Sequence, residues 1–425
     1  MKERLLVGLD LGTSKIRIAV GQIVLNSEKK QILNIIGGVE SPSQGIAKGG
    51  ITSLEDTVSS ITACLEQAER VVGLPLPEAA VGIGGKFIST QEAKGVIGVS
   101  RTDGEIRAED VGRALEAAKT FVNPANQEII HILPRGFTVD GQIGIKDPIG
   151  MQGIRLEADV EIVEGLSGHI RNLTKAVFRT GLDVTELVYS PLAAALAVTS
   201  ARDKEVGVCV LNIGAATTGM AVYEDGDLLH AITLPIGADH ITSDIAIGLR
   251  VSLETAENIK RTYGTAWSEG IPKRGEELDL KEFGEEQGEI VSVRFIAEII
   301  EARVEEIFEK VDAELRKIDR EGLLPAGVVL TGGGAKLSGM VEVGKEILRL
   351  PCSVGQINLP SSMPEIVQNP AFSTALGLVL WSFEEEKREN SQTVGLSSKF
   401  THQGGSAILS KISSPFRKII KSFVP

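Results

Sequence analysis

The chain has 425 residues and lacks three features that would place it quickly: cysteines at metal-binding spacing, an excess of basic residues and a long apolar stretch. Its three cysteines, Cys64, Cys209 and Cys352, lie far apart, so we expect them to be small buried side chains. The net charge of −13 argues against a general nucleic-acid-binding protein. Met1 to Arg4 lead directly into a predicted strand, with no signal-peptide pattern and no run able to cross a bilayer. We therefore expect a protein of the reducing cytosol.

Three glycine-bearing turns recur along the chain, and each follows a short apolar run. They span residues 10–15 (DLGTSK), 212–218 (NIGAATT) and 331–336 (TGGGAK). A strand that ends in such a turn presents unpaired backbone N–H groups, and the missing Cβ lets a ligand come close. At this length the chain can bury two or more cores. Three such turns predict a phosphate and a nucleoside held between two lobes.

The first two turns belong to an internal repeat with an offset of 202 residues. Shifting the chain by this offset aligns Asp10 with Asn212 and Gly12 with Gly214, without a gap. Both segments have the pattern strand, turn, strand. Unrelated hairpins would share the apolar alternation, but the match of the Asp/Asn-x-Gly register together with both strands favours repetition. The repeat predicts two lobes of similar fold with a cleft between them.

The order and spacing of these motifs resemble the actin, Hsp70 and sugar-kinase superfamily, and within it most closely the FtsA family of bacterial cell-division actin homologues. Segments 237–246, 299–303 and 328–337 carry this resemblance, which spans nearly the whole chain. It implies an α/β, two-lobed actin-like ATPase fold with an α+β insertion in lobe one and a C-terminal amphipathic helix.

The division of the chain follows from changes in its texture and from the resemblance. Strand-like pieces at 88–90, 95–99, 129–137 and 156–163 and a helix at 108–121 indicate the insertion, and further helices are predicted over 52–72, 167–180, 293–318 and 369–383. The expected units are lobe one at 1–81 and 166–197, to which 364–383 returns; the α+β insertion at 82–165; lobe two at 198–235 and 306–363; a lobe-two insertion at 236–305 with a polar hairpin at 271–293; a flexible linker at 384–405; and a membrane-targeting amphipathic helix at 406–425.

The resemblance implies a site for ATP and Mg²⁺. Asp10 would hold the metal, usually through waters, while the first two turns would enclose the phosphates and the third would approach the adenosine. Glu257 and Lys260 are either the purine-side pair or a surface ion pair. The implied nucleotide-binding residues are Asp10, Gly12, Thr13, Ser14, Lys15, Asn212, Gly214, Ala215, Ala216, Thr217, Glu257, Lys260, Gly332, Gly333, Gly334 and Lys336.

The chain departs from the superfamily pattern where catalytic groups are usual. Asn212 and Gly219 stand where Asp is common, Ala216 replaces a glycine, and Ser190 stands where a water-orienting Glu or Gln is often found. Asn can hydrogen-bond attacking water but cannot accept its proton. We therefore expect ATP binding with at most slow hydrolysis. The alternatives are a pilus-assembly adaptor resembling PilM and a metabolic kinase or phosphatase of the same superfamily.

The C-terminal tail differs in charge from the body of the chain. The last acidic residue is Glu389, so residues 390–425 carry a net charge of +5. Because the whole chain carries −13, residues 1–389 carry −18. Apolar and basic residues alternate at helical spacing, which is typical of a helix lying in a membrane surface; docking on its own domain is the alternative. The predicted membrane residues are Ile408, Leu409, Lys411, Ile412, Phe416, Arg417, Lys418, Ile419, Ile420, Lys421 and Phe423.

The resemblance also implies partners. It predicts a filament protein that tethers the FtsZ ring to the cytoplasmic face of the plasma membrane, with the insertion contacting neighbouring subunits and other division proteins. The C-terminal peptide of FtsZ would dock on the lobe-two insertion near Arg303. There a free guanidinium could meet the acidic part of the peptide; the alternative is an intrahelical pair with an acid such as Glu306.

Overall fold

A computed structural model describes residues 4–25, 30–119, 126–272, 276–283, 290–357 and 363–397. The predicted membrane helix at 406–425 and the last part of the predicted linker, 398–405, lie outside the described residues. Among the described helices, none combines the length and the apolar character needed to span a bilayer.

Lobe one begins with a run of strands and one long helix. Its first elements are β1 (Arg4–Leu11), β2 (Lys15–Leu25), β3 (Gln31–Pro42), β4 (Ile46–Ala47), β5 (Gly50–Ile51), α1 (Leu54–Val72) and β6 (Glu78–Ile83). Helix α1 starts after Ser53, whose hydroxyl accepts a hydrogen bond from the backbone N–H of Asp56. It ends at Gly73, which adopts the left-handed conformation and donates its N–H to the carbonyl of Glu69.

The insertion is an α+β unit with its own hydrophobic core. It contains β7 (Ile88–Gly98), α2 (Ala108–Lys119), β8 (Gln127–Val139), β9 (Gln142–Ile145) and β10 (Arg155–Leu166). The strand order is β7-β10-β8-β9, and α2 packs on β7 and β10. The prediction of two short strands at 88–90 and 95–99 was wrong, because β7 pairs continuously with β10 over its full length. Gly95 lies against the backbone of α2, where a Cβ would come 1.8 Å from the carbonyl oxygen of Ala114.

Lobe one is completed by α3 (Ser167–Phe178), β11 (Asp183–Tyr189) and α4 (Ser190–Val198). Its sheet has the order β11-β6-β1-β2-β3, so β1 lies at the centre. Helices α1 and α3 pack against this sheet and against each other. Cys64 is buried here, as predicted from its isolated position in the sequence.

Lobe two repeats this arrangement. Its elements are α5 (Ala201–Val206), β12 (Val208–Ile213), β13 (Thr218–Glu224), β14 (Asp227–Leu234), α6 (Ala238–Leu249), α7 (Leu253–Tyr263), β15 (Glu277–Asp279), β16 (Ile290–Ser292), α8 (Val293–Lys317), β17 (Gly327–Thr331), α9 (Met340–Leu348) and β18 (Cys352–Val354). The sheet order β14-β13-β12-β17-β18 matches that of lobe one when β12 is laid on β1. The hairpin of β15 and β16 lies within the predicted polar hairpin.

Helix α8 forms the spine of lobe two. Apolar residues at helical spacing form a stripe along it, and they are buried or half-buried: Ile296, Ile299, Ile300, Val304, Ile307, Phe308, Val311, Leu315 and Ile318. The predicted division between 305 and 306 falls inside this helix, so the lobe-two insertion shares its core with lobe two. Asp312 on the same helix is also buried, and its carboxylate pairs with Arg316 and Arg349.

Helix α10 (Ser373–Ser397) returns to lobe one and extends further than predicted. The expectation of a flexible linker from 384 was wrong for 384–397, which are helical. This stretch opens with Glu and Lys, which are strong helix formers, and Glu384 pairs with Lys387 one turn later. Glu386 also pairs with Arg4 of β1, which ties this part of the helix to lobe one.

Candidate nucleotide site

A cleft of about 740 Å³ opens between the two lobes, and all three glycine turns line it. This volume lies in the usual range for small-molecule sites. Every predicted nucleotide-binding residue lines the cleft: Asp10, Gly12, Thr13, Ser14, Lys15, Asn212, Gly214, Ala215, Ala216, Thr217, Glu257, Lys260, Gly332, Gly333, Gly334 and Lys336. The structure therefore brings together three segments that are up to 326 positions apart in the chain.

The first turn joins β1 and β2 in lobe one. Gly12 is required here, because a Cβ would come 2.6 Å from the carbonyl oxygen of Lys15. Asp10 precedes the turn, and burial raises the pKa of its carboxyl to about 6, although nearby Arg17 opposes that shift. Asp10 is therefore a partly desolvated carboxylate that a bound cation would favour in its ionised form.

The second turn joins β12 and β13 in lobe two and is held to the start of α6. The N–H of Gly214 donates to the carbonyl of Thr217 at 2.8 Å. The N–H groups of Ala238 and Asp239 donate to the carbonyls of Gly214 and Ala215 at 2.9 and 2.7 Å. The turn is thus pinned to the helix that follows it in space.

Asn212 occupies the position equivalent to Asp10, as the repeat predicted. Its Nδ2 donates to the hydroxyl of Thr374 at 3.0 Å, at the start of α10. Its Oδ1 lies where a Cβ on Gly332 would come within 2.4 Å, and Gly332 has φ +84°. The amide of Asn212 therefore joins the second turn to α10, and the missing side chain of Gly332 lets the third turn lie close to it.

Glu257 and Lys260 form an ion pair on the wall of the cleft, with 2.5 Å between Nζ and Oε2. Lys260 also donates to the hydroxyl of Thr242 at 2.7 Å, and that hydroxyl donates to Glu257 at 2.6 Å. Burial raises the pKa of Glu257, but the hydrogen bonds from Lys260 and Thr242 outweigh it and the pKa is lowered. The residues are therefore ion-paired and line the cleft, and their contact with the purine stays a prediction.

The site can hold a metal ion only with help from a ligand. Within the described ranges, no group of three or more His, Cys, Asp or Glu side chains could hold a metal ion. Mg²⁺ is often bound by one or two carboxylates together with water and substrate phosphates. Asp10 beside a glycine turn fits that pattern, with phosphate and water as the remaining ligands.

Several cleft residues were missed by sequence reasoning. Gly82 lies in β6, Gly84 and Gly85 follow that strand, and Arg17 and Glu40 come from β2 and β3. The glycines were visible in the sequence as a closely spaced group, but no strand was predicted before them. The other two become cleft residues only through the pairing of neighbouring strands.

Arg303 lies outside the cleft, on α8, and its guanidinium is not free. Its Nε and Nη2 contact Asp244 of α6 at 2.5 and 2.9 Å, and Nη1 contacts Glu306. The prediction of a free guanidinium was therefore wrong, and the alternative partner Glu306 is one of two. Asp244 lies 59 residues away in sequence, so helical spacing could not reveal it.

Known proteins resemble this chain over most of its length. A family model described as cell division protein FtsA matches residues 209–377, and one described as the SHS2 domain inserted in FTSA matches residues 85–164. A cell division protein FtsA from Pseudomonas aeruginosa is 34% identical over 409 residues, covering 96% of each chain. One from Bacillus subtilis is 38% identical over 375 residues, covering 88% of this chain and 82% of the other.

Solved structures share the fold. The PilM-PilN type IV pilus biogenesis complex gives a TM-score of 0.63 at 17% identity, covering 88% of this chain and 97% of that one. MreB5 of Spiroplasma citri bound to ADP gives 0.52 at 13% identity, covering 92% and 98%. At these identities the likeness concerns the fold alone, and it confirms the predicted two-lobed actin-like architecture.

Proposed function

The chain belongs to the FtsA family of cell division proteins, and on that premise we propose that it is an ATP-binding, actin-like filament protein. In this proposal it tethers an FtsZ ring to the cytoplasmic face of the plasma membrane at the division site and recruits further division proteins. The observation that carries the nucleotide assignment is the single cleft lined by all three glycine turns and by every predicted binding residue.

ATP with Mg²⁺ is the ligand that best fits the cleft. Gly12 and Gly332 leave space beside backbone groups that any Cβ would fill. Lys15 and Lys336 add positive charge, and Asp10 provides one carboxylate for the metal. MreB5 of Spiroplasma citri, which shares the fold, was solved with ADP and with AMPPNP. When bound, Mg²⁺ would neutralise phosphate charge beside Asp10.

Hydrolysis should be slow, because the second turn has no general base. Asn212 cannot accept a proton from water, and its amide is already engaged with Thr374. Ser190 and Gly219 also line the cleft and supply no carboxylate. ATP then acts mainly as a clamp that closes the lobes for polymerisation.

The FtsZ peptide would bind beside Arg303 on the lobe-two insertion. Helices α6 and α8 run antiparallel there, because Asp244 meets Arg303 and Gly248 meets Ile299. Near the end of this contact Ile247 is 76% exposed, and Leu253 and Phe295 are exposed as well. An acidic and apolar peptide suits this surface.

Arg250 is the cation that this surface offers to the peptide. It is exposed at the end of α6, and it forms no ion pair within the described residues. We therefore place the salt bridge to the peptide at Arg250 and give Arg303 the structural role of joining α6 to α8.

The membrane anchor rests on the tail sequence. Buried Ile and Phe side chains contribute up to about 1.5–3 kcal/mol each, and each basic residue near an anionic surface adds about 1 kcal/mol. Ordering the helix offsets much of this, so single tails bind weakly and filaments bind tightly through multivalency.

The experiment for the whole proposal is electron microscopy and co-sedimentation with anionic lipid and Mg-ATP. Full-length protein should form membrane-bound filaments, and protein lacking 406–425 should not bind the lipid. Ile412→Asp with Phe416→Asp should also detach it. Ser410→Asp with Ser414→Asp is the matched control, since it adds the same charge on the side opposite the apolar stripe. It should bind the lipid more strongly than the variant with Asp at 412 and 416. Equal sedimentation of full-length and truncated protein would contradict the anchor.

A further inference from the structure

Three charged residues form a row across the lobe-one wall of the cleft. Asp10 on β1 lies directly opposite Arg17 on β2, and Arg17 lies directly opposite Glu40 on β3. Residues opposite one another in antiparallel strands project from the same face of the sheet. All three line the cleft, in the order carboxylate, guanidinium, carboxylate.

Two contacts hold the guanidinium of Arg17, one along its Nε edge and one on its planar face. Its Nε donates to Oε2 of Glu40 at 3.1 Å, and its Cζ lies 5.8 Å from the centre of the Phe372 ring. The side chain is 16% exposed. Within the described part of the chain, the two Nη nitrogens have no hydrogen-bond or ion-pair partner. A half-buried guanidinium with an unused edge has donors ready for an anion.

The position of that edge points to phosphate. Arg17 follows the first glycine turn by two residues and faces Asp10, so it lies beside the backbone N–H groups predicted to meet the β- and γ-phosphates. Two other cleft cations, Lys260 and Arg261, are both engaged by Glu257. This leaves Lys15, Lys336 and the free edge of Arg17 to balance phosphate charge.

We propose that Arg17 is a phosphate-binding residue whose Nη edge contacts β- or γ-phosphate oxygens of the nucleotide, and that Glu40 is the positioning residue that orients it. This inference rests on the proposed function as a nucleotide-binding protein. Arg17 also separates Asp10 from Glu40, so its loss would leave two carboxylates facing the phosphates. The site should therefore distinguish di- and triphosphates from a monophosphate partly through this one side chain.

The test compares the affinities of the full chain for Mg-ATP, Mg-ADP and AMP. Arg17→Ala should weaken ATP and ADP binding by about 10- to 100-fold, because a charge-assisted contact is lost, and should leave AMP within about twofold. Arg17→Lys should recover part of the loss, since it keeps the charge without the planar fork. Glu40→Gln should weaken ATP a few-fold, with AMP affinity and melting temperature unchanged, which a merely structural role would not produce.

The AMP arm also reports whether each variant is folded. ATP affinity unchanged in Arg17→Ala, or an equal loss for ATP and AMP in both Arg17 variants, would overturn the assignment of Arg17. Wild-type protein that binds none of the three nucleotides would overturn the nucleotide function and this inference with it. The two failures are therefore distinguishable by the wild-type measurement.

Discussion

Lobe one and lobe two present equivalent hairpins to the same cleft, yet the two hairpins differ in chemistry. The strands β3-β2-β1-β6-β11 correspond to β14-β13-β12-β17-β18. The next-to-last residue of the central strand is Asp10 in lobe one, where it faces Arg17, and Asn212 in lobe two, where it faces Gly219. The hairpin of lobe one is thus charged and suited to metal and phosphate, whereas the hairpin of lobe two is uncharged and is hydrogen-bonded to α10 through Asn212. The same hairpin geometry can therefore serve ligand binding in one lobe and packing against a helix in the other.

The two insertions differ in the same way. The lobe-one insertion has a separate core and touches lobe two through a few polar contacts, such as the Thr90 hydroxyl donating to the carbonyl of Ala231 at 2.7 Å. The lobe-two insertion is continuous with the core of its lobe through α8. We therefore expect a partner bound to the first insertion to affect the cleft less than a partner bound to the second, which shares α8 with lobe two.

The largest expected effect comes from changing the equivalent residues Asp10 and Asn212 at the two turns. Asp10→Ala should weaken Mg-ATP binding by about 100-fold or more, since a metal-directed carboxylate is lost. Asn212→Asp should change it only a few-fold, because the Thr374 hydroxyl can donate to the new carboxylate. Titration of both variants with Mg-ATP checks this. Equal losses in the two variants would mean that the walls are not chemically distinct.

The second prediction concerns the pH dependence of the unliganded protein. Asp10 has a folded-state pKa of about 6 against an ordinary value of 3.8, so the folded state holds its proton where the unfolded state has lost it. Wild-type stability should therefore fall as the pH rises through this window. Asp10→Asn should be more stable than wild type at pH 7, by on the order of 1–3 kcal/mol, and no different near pH 3. Denaturant unfolding at both pH values checks this. The same difference in free energy of unfolding between Asp10→Asn and wild type at both pH values would refute it.

The third prediction separates the two insertions. Ile247→Asp should weaken binding of the FtsZ peptide by about tenfold, by placing a charge in the apolar docking surface, and should leave filaments intact. Ile143 on the edge strand β9 is 80% exposed, and Ile143→Asp should reduce filament order while sparing peptide binding. Gln142→Glu on the same strand is its control. Fluorescence anisotropy measures peptide binding, and electron microscopy measures filament order. A variant that affected both would contradict the separate roles of the two insertions.

The smallest expected effect concerns a contact between the lobes. The hydroxyl of Tyr189, at the end of β11, lies 2.9 Å from that of Thr233 on β14, and both residues are buried. Tyr189→Phe should lower the free energy of unfolding by about 1 kcal/mol, because Thr233 loses its partner. Tyr223→Phe is the matched control, since that hydroxyl has no hydrogen-bond partner within the described ranges, and it should be nearly neutral. Equal melting temperatures for wild type and Tyr189→Phe would show that this contact does not stabilise the folded protein.

Much of this comparison could be predicted from the sequence, because the repeat lies in short local motifs. The 202-residue register placed Asp10 and Asn212 at equivalent positions, and the three glycine turns identified the cleft. Arg17 and Glu40 were missed, since only strand pairing brings residues 23 positions apart into contact. Arg303 was misjudged because its strongest partner lies on another helix. The linker prediction was wrong at 384–397, because the polar composition of this stretch suggested disorder although helix-forming residues stand at its start.

The central claim is that the charged hairpin of lobe one binds ATP, while the uncharged hairpin of lobe two supplies no base to hydrolyse it. Single-turnover phosphate release, measured on wild-type protein together with its affinity for Mg-ATP, tests this most directly. The account predicts saturable binding with turnover well below about 1 s⁻¹, the lower end of typical enzyme rates. Turnover at or above about 1 s⁻¹ would contradict it, because a catalytic base outside positions 190, 212 and 219 would then have to act in the cleft.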